Sequence, residues 1–193
     1  TIPTCWRSGN GCTTMGITPL DGLVMGTRCG SIDPAIVPFL VNRMGVTAKE
    51  VDTMMNKKSG MLGVSGVSND ARYVWEAADQ GNERAKLARD IQWYQIRKYI
   101  GSYIAAMNGV DAIVFTGGIG ENADDLRDNI CNELSYLGIE INNEIVELKH
   151  ITHIRAGRVG IVHNHNAVHI RSRIPVLVKA QFLAGTEHTV RHH

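Results

Sequence analysis

The apolar positions of this chain change rhythm several times, and each change marks an element. From Glu83 to Met107, the residues Leu87, Ala88, Ile91, Tyr94, Tyr99, Ile100, Tyr103, Ile104 and Met107 recur largely at helical spacing. Asn82 is placed to cap that helix and Asn108-Gly109 to end it. A strand is expected over 110–115, ending in the continuously apolar Ile113-Val114-Phe115, as suits a short buried strand. It ends at Gly117, Gly118 and Gly120. Leu126, Ile130, Leu134 and Leu137 then return to helical spacing up to Gly138, and 139–141 predicts a further short strand.

Upstream, Asp33-Pro34 opens a helix, because Asp caps well and Pro suits the first helical position. Ile36, Val37, Phe39 and Leu40 give it an apolar face, and Gly45 stops it. Thr47 with Glu50 spells a capping box ahead of Val51, Met54 and Met55. A glycine-rich loop is expected over 60–66, and Ser68-Asn69-Asp70 offers another cap before a helix over 72–78. The ends carry less pattern. Residues 1–12 hold Trp6 and glycines without a clear period, and 142–173 is mixed, rich in His and Arg, with strand-like runs at 159–162 and 174–178. Beyond Lys179 the chain is polar and is expected to fray. Helices set between strands in this order favour an α/β fold.

Composition narrows the function classes. With 193 residues the chain suits one good-sized domain. Its 20 Lys and Arg stand against 19 Asp and Glu, a formal net charge of +1, so there is no global electrostatic case for nucleic acid or an anionic membrane. No apolar run approaches bilayer-spanning length. Cys5, Cys12, Cys29 and Cys131 form no CxxC pair and follow no secretory leader. A reduced cytoplasmic setting and a soluble protein are the expectation.

Chemistry concentrates around glycines. A strand delivering Gly117, Gly118, Ile119, Gly120, Glu121 and Asn122 to a helix start exposes backbone amides that favour an anion, so a nucleotide is the first ligand to suspect; a tight structural turn uses the same layout. Asn122 can hydrogen-bond a nucleotide or cap the next helix, and Glu121, charged beside a phosphate, should point away or meet a cation. Arg28, between Gly26 and Gly30, has a planar fork suited to a phosphoryl group or carboxylate, or to tying nearby carbonyls. Asp70 can accept from ribose hydroxyls or from backbone amides as a cap, and Arg72 can lie against a base or stay solvated. His163 and His165 share a face if that stretch is a strand, with His169 beyond. No cysteine or carboxylate lies near enough to complete a metal site, and none is assigned. Cys29 lacks a histidine nearby to act as base, which argues against nucleophilic catalysis.

Four separated motifs, in order, carry a resemblance. Thr14 to Leu23 reads TMGITPLDGL and Met25 to Pro34 reads MGTRCGSIDP; Met55 to Gly60 reads MNKKSG, followed by GVSG from Gly63. Ser68 to Arg72 reads SNDAR, and Phe115 to Asn122 reads FTGGIGEN. Together they closely resemble the acetate kinase family over about 13–142. The resemblance implies the actin-like ATPase (acetate and sugar kinase) superfamily, whose halves are each built on a ribonuclease-H-like sheet. It implies reversible transfer of the γ-phosphoryl group of ATP to acetate or propionate, giving ADP and acetyl phosphate, with Mg²⁺ and in a homodimer. On this likeness Arg28 steadies the transferring phosphoryl group. Asp70, Ala71 and Arg72 match an Asp-Phe-Arg-like run at the nucleoside. Gly117, Gly118, Ile119, Gly120 and Asn122 match the loop lining adenine and phosphates.

Departures from the family pattern bound that likeness. Ala71 replaces the usual phenylalanine, which weakens packing on the base. Family members are about twice as long, and their N-terminal half carries a second phosphoryl-site arginine and the Asn, Asp and His of catalysis. Where a glutamate that organises Mg²⁺ is expected, after 174–178, this chain reads Lys179-Ala180-Gln181-Phe182-Leu183. The expected organisation is therefore a nucleotide-binding domain over 13–178, with divergent ends at 1–12 and 179–193. A non-catalytic ADP/ATP-binding or interaction module is the other reading.

Overall fold

The computed structural model describes residues 4–7, 10–110, 112–139 and 166–169. The described residues are mostly helical. A hairpin of β1 (Thr4–Arg7) and β2 (Asn10–Thr13) precedes five helices: α1 (Ile36–Met44), α2 (Ala48–Lys57), α3 (Gly60–Ser65), α4 (Ala71–Asp79) and α5 (Glu83–Met107). Then come β3 (Ala112–Phe115), α6 (Gly117–Asn122), α7 (Asp124–Asn132), a single 3-10 turn at Ser135–Leu137, and β4 (Asn166–His169). Both described strand pairs are antiparallel, with Thr4 opposite Thr13 in the hairpin and Ile113 opposite Val168 in the β3–β4 pair.

Helix α5 is the spine. Its buried residues are Ala85, Ala88, Gln92, Ile96, Ile100, Tyr103, Ile104 and Met107, a stripe recurring every three or four positions. The stripe is rotated from the sequence expectation: Leu87 and Tyr94, counted there as part of the apolar face, are more than half exposed. Two packed clusters share this stripe. Small Ala85 and Ala88 admit Met61 of α3 with Val74 and Ala78 of α4. The larger residues from Ile96 onward pack with Leu23, Ile113, Phe115, Leu126, Ile130 and Leu134. Each such large side chain, fully buried, contributes on the order of 1.5–3 kcal/mol.

The caps form as the side chains dictate. Thr47 Oγ1 accepts the Glu50 N–H, and Glu50 Oε2 accepts the Thr47 N–H at 2.8 Å, completing the capping box of α2. Asn82 accepts the N–H groups of Arg84 and Ala85 at the start of α5. Asp33 takes the Ala35 N–H at 2.9 Å in a turn that leads into α1, which starts at Ile36 rather than at Pro34.

Three sequence expectations are corrected here. The stretch 60–66 is helix α3 rather than loop, because tertiary partners satisfy both its ends: Met25 and Gly26 carbonyls accept the Met61 and Leu62 N–H groups, and Arg84 donates to the Gly63 and Val64 carbonyls. The glycine loop after β3 is itself helical from Gly117 to Asn122. The helix expected through Leu137 ends as α7 at Asn132, where the last turn tightens and the chain continues as a 3-10 turn. Of the remaining expectations, 140–141, the runs at 159–162 and 174–178, His163, His165 and the 179–193 end lie outside the described residues.

Candidate functional site

The loop carrying Arg28 is held around the arginine mainly by its backbone. The four consecutive carbonyls of Met25, Gly26, Thr27 and Arg28 accept from the N–H groups of Met61, Leu62, Ser59 and Met25 at 2.9–3.1 Å. Cys29 N–H reaches the Met55 carbonyl at 3.0 Å, and Thr27 Oγ1 donates to the Asn56 carbonyl at 2.9 Å. The loop is thereby sewn to the end of α2 and the start of α3. Its arginine side chain has no part in this. Half-buried Arg28 touches Met25 Sδ at 3.7 Å, and among the described residues its guanidinium makes no ion pair. A cation so placed, with its loop's carbonyls already satisfied, is free to meet an anion.

Asp70 sits against this loop. A Cβ on Gly26 would lie 2.5 Å from the Asn69 carbonyl, so only glycine permits the approach. Asp70 caps α4 through the Arg72 N–H at 3.0 Å, and its carboxylate also takes Arg72 Nε at 3.1 and 3.2 Å and Nη2 at 2.5 Å. Those side-chain bonds hold the Asp70 carboxyl below its ordinary range and raise the Arg72 guanidinium. The pair is local and Arg72 is exposed, so a ligand can compete for both groups at modest cost. Ala71 is buried at the first position of α4, turned away from any base that Arg72 would border.

The Gly117–Asn122 turn is braced by the core around α5 and by α7. Phe115 is fully buried and Ile119 packs against the same core. Arg127 of α7, only 2% exposed, donates from Nη1 to the Gly120 and Glu121 carbonyls at 2.8 and 2.9 Å, while Nη2 pairs with Asp124. Asn122 Nδ2 donates back to the Gly118 carbonyl at 2.8 Å, so it closes the turn as a local bond. Glu121 folds onto its own loop, accepting the Gly117 N–H at 3.0 Å. Gly118 faces open space: a Cβ there would meet nothing within 4 Å.

The Arg28 loop thus meets the segment just before Asp70 in one tight backbone contact, Gly26 against Asn69, and Leu23 of that loop shares a core with Phe115 and Ile119 beside the Gly117–Asn122 turn. The acetokinase family model matches residues 5–176. The chain belongs to the acetokinase family. It is 61% identical over 132 residues to acetate kinase of Methanosarcina acetivorans and 58% identical to that of Halothermothrix orenii, covering 68% of this chain in each case. The chain spans about a third of the length of the curated relatives it matches. A crystal structure of a propionate kinase from Francisella tularensis superposes over 93% of this chain and 42% of its own, at 36% identity and a TM-score of 0.73. Porphyromonas gingivalis acetate kinase does so over the same shares with a TM-score of 0.71. The acetokinase match spans the Arg28 loop, Asp70 and the Gly117–Asn122 turn.

Sequence reading missed the residues that build this site from behind. Arg127 lies in a polar stretch whose helical period gives no hint that its guanidinium is buried, and Gln95 and Tyr99 read only as helix. Cys29 is half-buried, with its thiol pushed up by that burial, as suits a packed rather than a reactive sulfur. Mg²⁺, which the family likeness implies, finds no group of three His, Cys, Asp or Glu side chains able to hold it among the described residues.

Proposed function

We propose that this chain is the nucleotide-binding part of an acetate-kinase-type phosphotransferase, working reversibly between ATP with acetate or propionate and ADP with acetyl phosphate. The observation that carries the reading is Arg28, a half-buried guanidinium without a carboxylate partner among the described residues, on a loop in which the four carbonyls from Met25 to Arg28 are satisfied. Phosphoryl transfer needs little covalent help from protein; it needs positioning and positive charge where the three equatorial oxygens crowd. Arg28 supplies such a charge in a fixed fork. Asp70 and Arg72 would receive the nucleoside by exchanging their mutual bonds for ribose hydroxyls and the base face. The amides around Gly118 and Ile119, with Asn122, would line the nucleotide. When bound, Mg²⁺ would neutralise phosphate charge, carried in on the nucleotide.

The same proposal takes the fold as one ribonuclease-H-like half of the actin-like ATPase superfamily, the domain as 13–178, the working form as a homodimer and the setting as cytoplasmic. A second reading has one specific observation in its favour. The chain spans about a third of the length of its curated relatives, which supports an ADP/ATP-binding or interaction module without turnover. Isothermal titration with ADP and Mg²⁺ tests binding, and absence of heat from a folded sample would sink it. Trapping acetyl phosphate with hydroxylamine, in the presence of ATP and acetate, separates the readings: product from the purified chain means catalysis.

A further inference from the structure

Arg28 is precise only if the base of its loop is precise, and that base is held by one face of α5. Gln95 and Tyr99 stand one helical turn apart, so their side chains emerge together. Val24 N–H donates to Gln95 Oε1 at 2.7 Å, and the Tyr99 hydroxyl lies 3.0 Å from Ser31 Oγ. Val24 begins the loop and Ser31 ends it. The two ends are also joined to each other, since Ser31 N–H donates to the Gly22 carbonyl at 2.9 Å and Gly22 N–H reaches Ser31 Oγ at 3.0 Å. Ser31 has a single hydroxyl proton. It goes to Asp21 Oδ1 at 2.6 Å, so Tyr99 is the donor in its bond to Ser31. Between these polar contacts, Leu23 is buried in the cluster that holds Ile96 and Ile100 of the same helix.

We propose that Gln95 and Tyr99 are positioning residues for Arg28: α5 clamps both ends of the Gly22–Ser31 loop and thereby fixes where the guanidinium at its tip points. The inference rests on the reading of Arg28 as an anion-binding group. Neither side chain needs to touch substrate. A loss of both clamps leaves the hydrophobic anchor at Leu23 in place, so the fold should survive while the tip loosens.

The test compares the 193-residue chain with Gln95→Leu, Gln95→Glu, Tyr99→Phe and Arg28→Ala. Gln95→Glu keeps an oxygen for the Val24 N–H and should rescue what Gln95→Leu loses. Amide hydrogen exchange over 22–31 and ³¹P NMR titration with acetyl phosphate are read together, beside the melting temperature. Exchange over 22–31 should rise at least several-fold in Gln95→Leu and Tyr99→Phe, with about a tenfold loss of acetyl phosphate affinity, while α5 stays protected and Gln95→Glu behaves as the parent. Unchanged exchange overturns the clamp whatever the ligand does. Faster exchange with parental affinity, where Arg28→Ala binds weakly, overturns the positioning role. Arg28→Ala binding acetyl phosphate as the parent does, or a parent chain that does not bind it, overturns the reading of Arg28 itself and the positioning role with it.

Discussion

Gly60 and Gly45 share nearly the same left-handed backbone, φ +67° and +68°, but have opposite surroundings. A Cβ on Gly60 would stand 2.2 Å from the Met25 carbonyl oxygen and 2.8 and 2.9 Å from the Arg28 carbonyl and amide; at Gly45 it would meet nothing within 4 Å. Alanine at either site carries the left-handed penalty, about 1–2 kcal/mol. At Gly60 it adds a collision with main chain, well inside the roughly 3.5–4 Å of an ordinary heavy-atom contact. Met25 must retreat, and with it go the Met61 N–H bond to its carbonyl at 2.9 Å and its own N–H bond to Arg28 at 3.1 Å. Two such bonds are worth about 1 kcal/mol each. Gly60→Ala should therefore destabilise by about 3–4 kcal/mol and Gly45→Ala by about 1–2. Urea unfolding followed by circular dichroism at equal m-value reads the difference. Costs that agree within about 0.5 kcal/mol would refute the claim that the Arg28 loop rests on the start of α3.

Other outcomes follow from single contacts. Arg127→Ala should cost about 2–4 kcal/mol in a thermal melt, because two carbonyls at the end of α6 lose their buried donor and a cavity opens; a loss under about 1 kcal/mol would mean that the guanidinium is not buried. Asp70 has its folded pKa depressed, so its stabilisation is present above the ordinary carboxylate pKa and is lost as pH falls through the lower folded value. Asp70→Asn should flatten the acid limb of a stability–pH curve while changing little above it, and an acid limb identical to the parent's would contradict the pairing with Arg72. Gln92 is 5% exposed and its buried Oε1 accepts no hydrogen bond among the described residues, so Gln92→Met should raise stability by about 1 kcal/mol; a clear drop in the urea midpoint would show that the oxygen has a partner.

How much of this was legible depends on where each residue's partners lie. Caps were readable because their partners are two or three residues away: Thr47 with Glu50, Asn82 with Arg84 and Ala85, Asp70 with Arg72. The length of α5 was equally readable, from its cap and stop. Its buried face was not, because Gln92 lies in the core while Leu87 and Tyr94 do not, and hydrophobicity alone weights them the other way. Helix α3 defeated local reading for a different reason. Its glycines argue for loop, and its helical hydrogen bonds are completed by Met25, Gly26 and Arg84, more than fifteen residues away in the chain. The proposed site residues rest on four motifs in family order rather than on local chemistry, where Asp70 reads equally well as a cap, which it also is.

The site that emerges is unequal in its two parts, and the inequality has a chemical sense. On the side proposed for the phosphoryl group, backbone bonds fix the loop and leave Arg28 without an ion pair among the described residues, so only its weak contact with Met25 Sδ must yield before an anion arrives. On the side proposed for the nucleoside the groups answer one another: Arg72 covers Asp70, Asn122 closes onto Gly118, and Glu121 holds the Gly117 N–H. Binding there means exchange of partners, which costs little at exposed positions but leaves little net gain. A nucleotide meeting this chain should therefore be held first by its phosphates, with ribose and base contacts refining the pose. A group that must stabilise charge in flight is best kept preorganised. Groups that only identify a substrate can remain satisfied until it comes, and that division is the one seen between Arg28 and the Asp70–Arg72 pair.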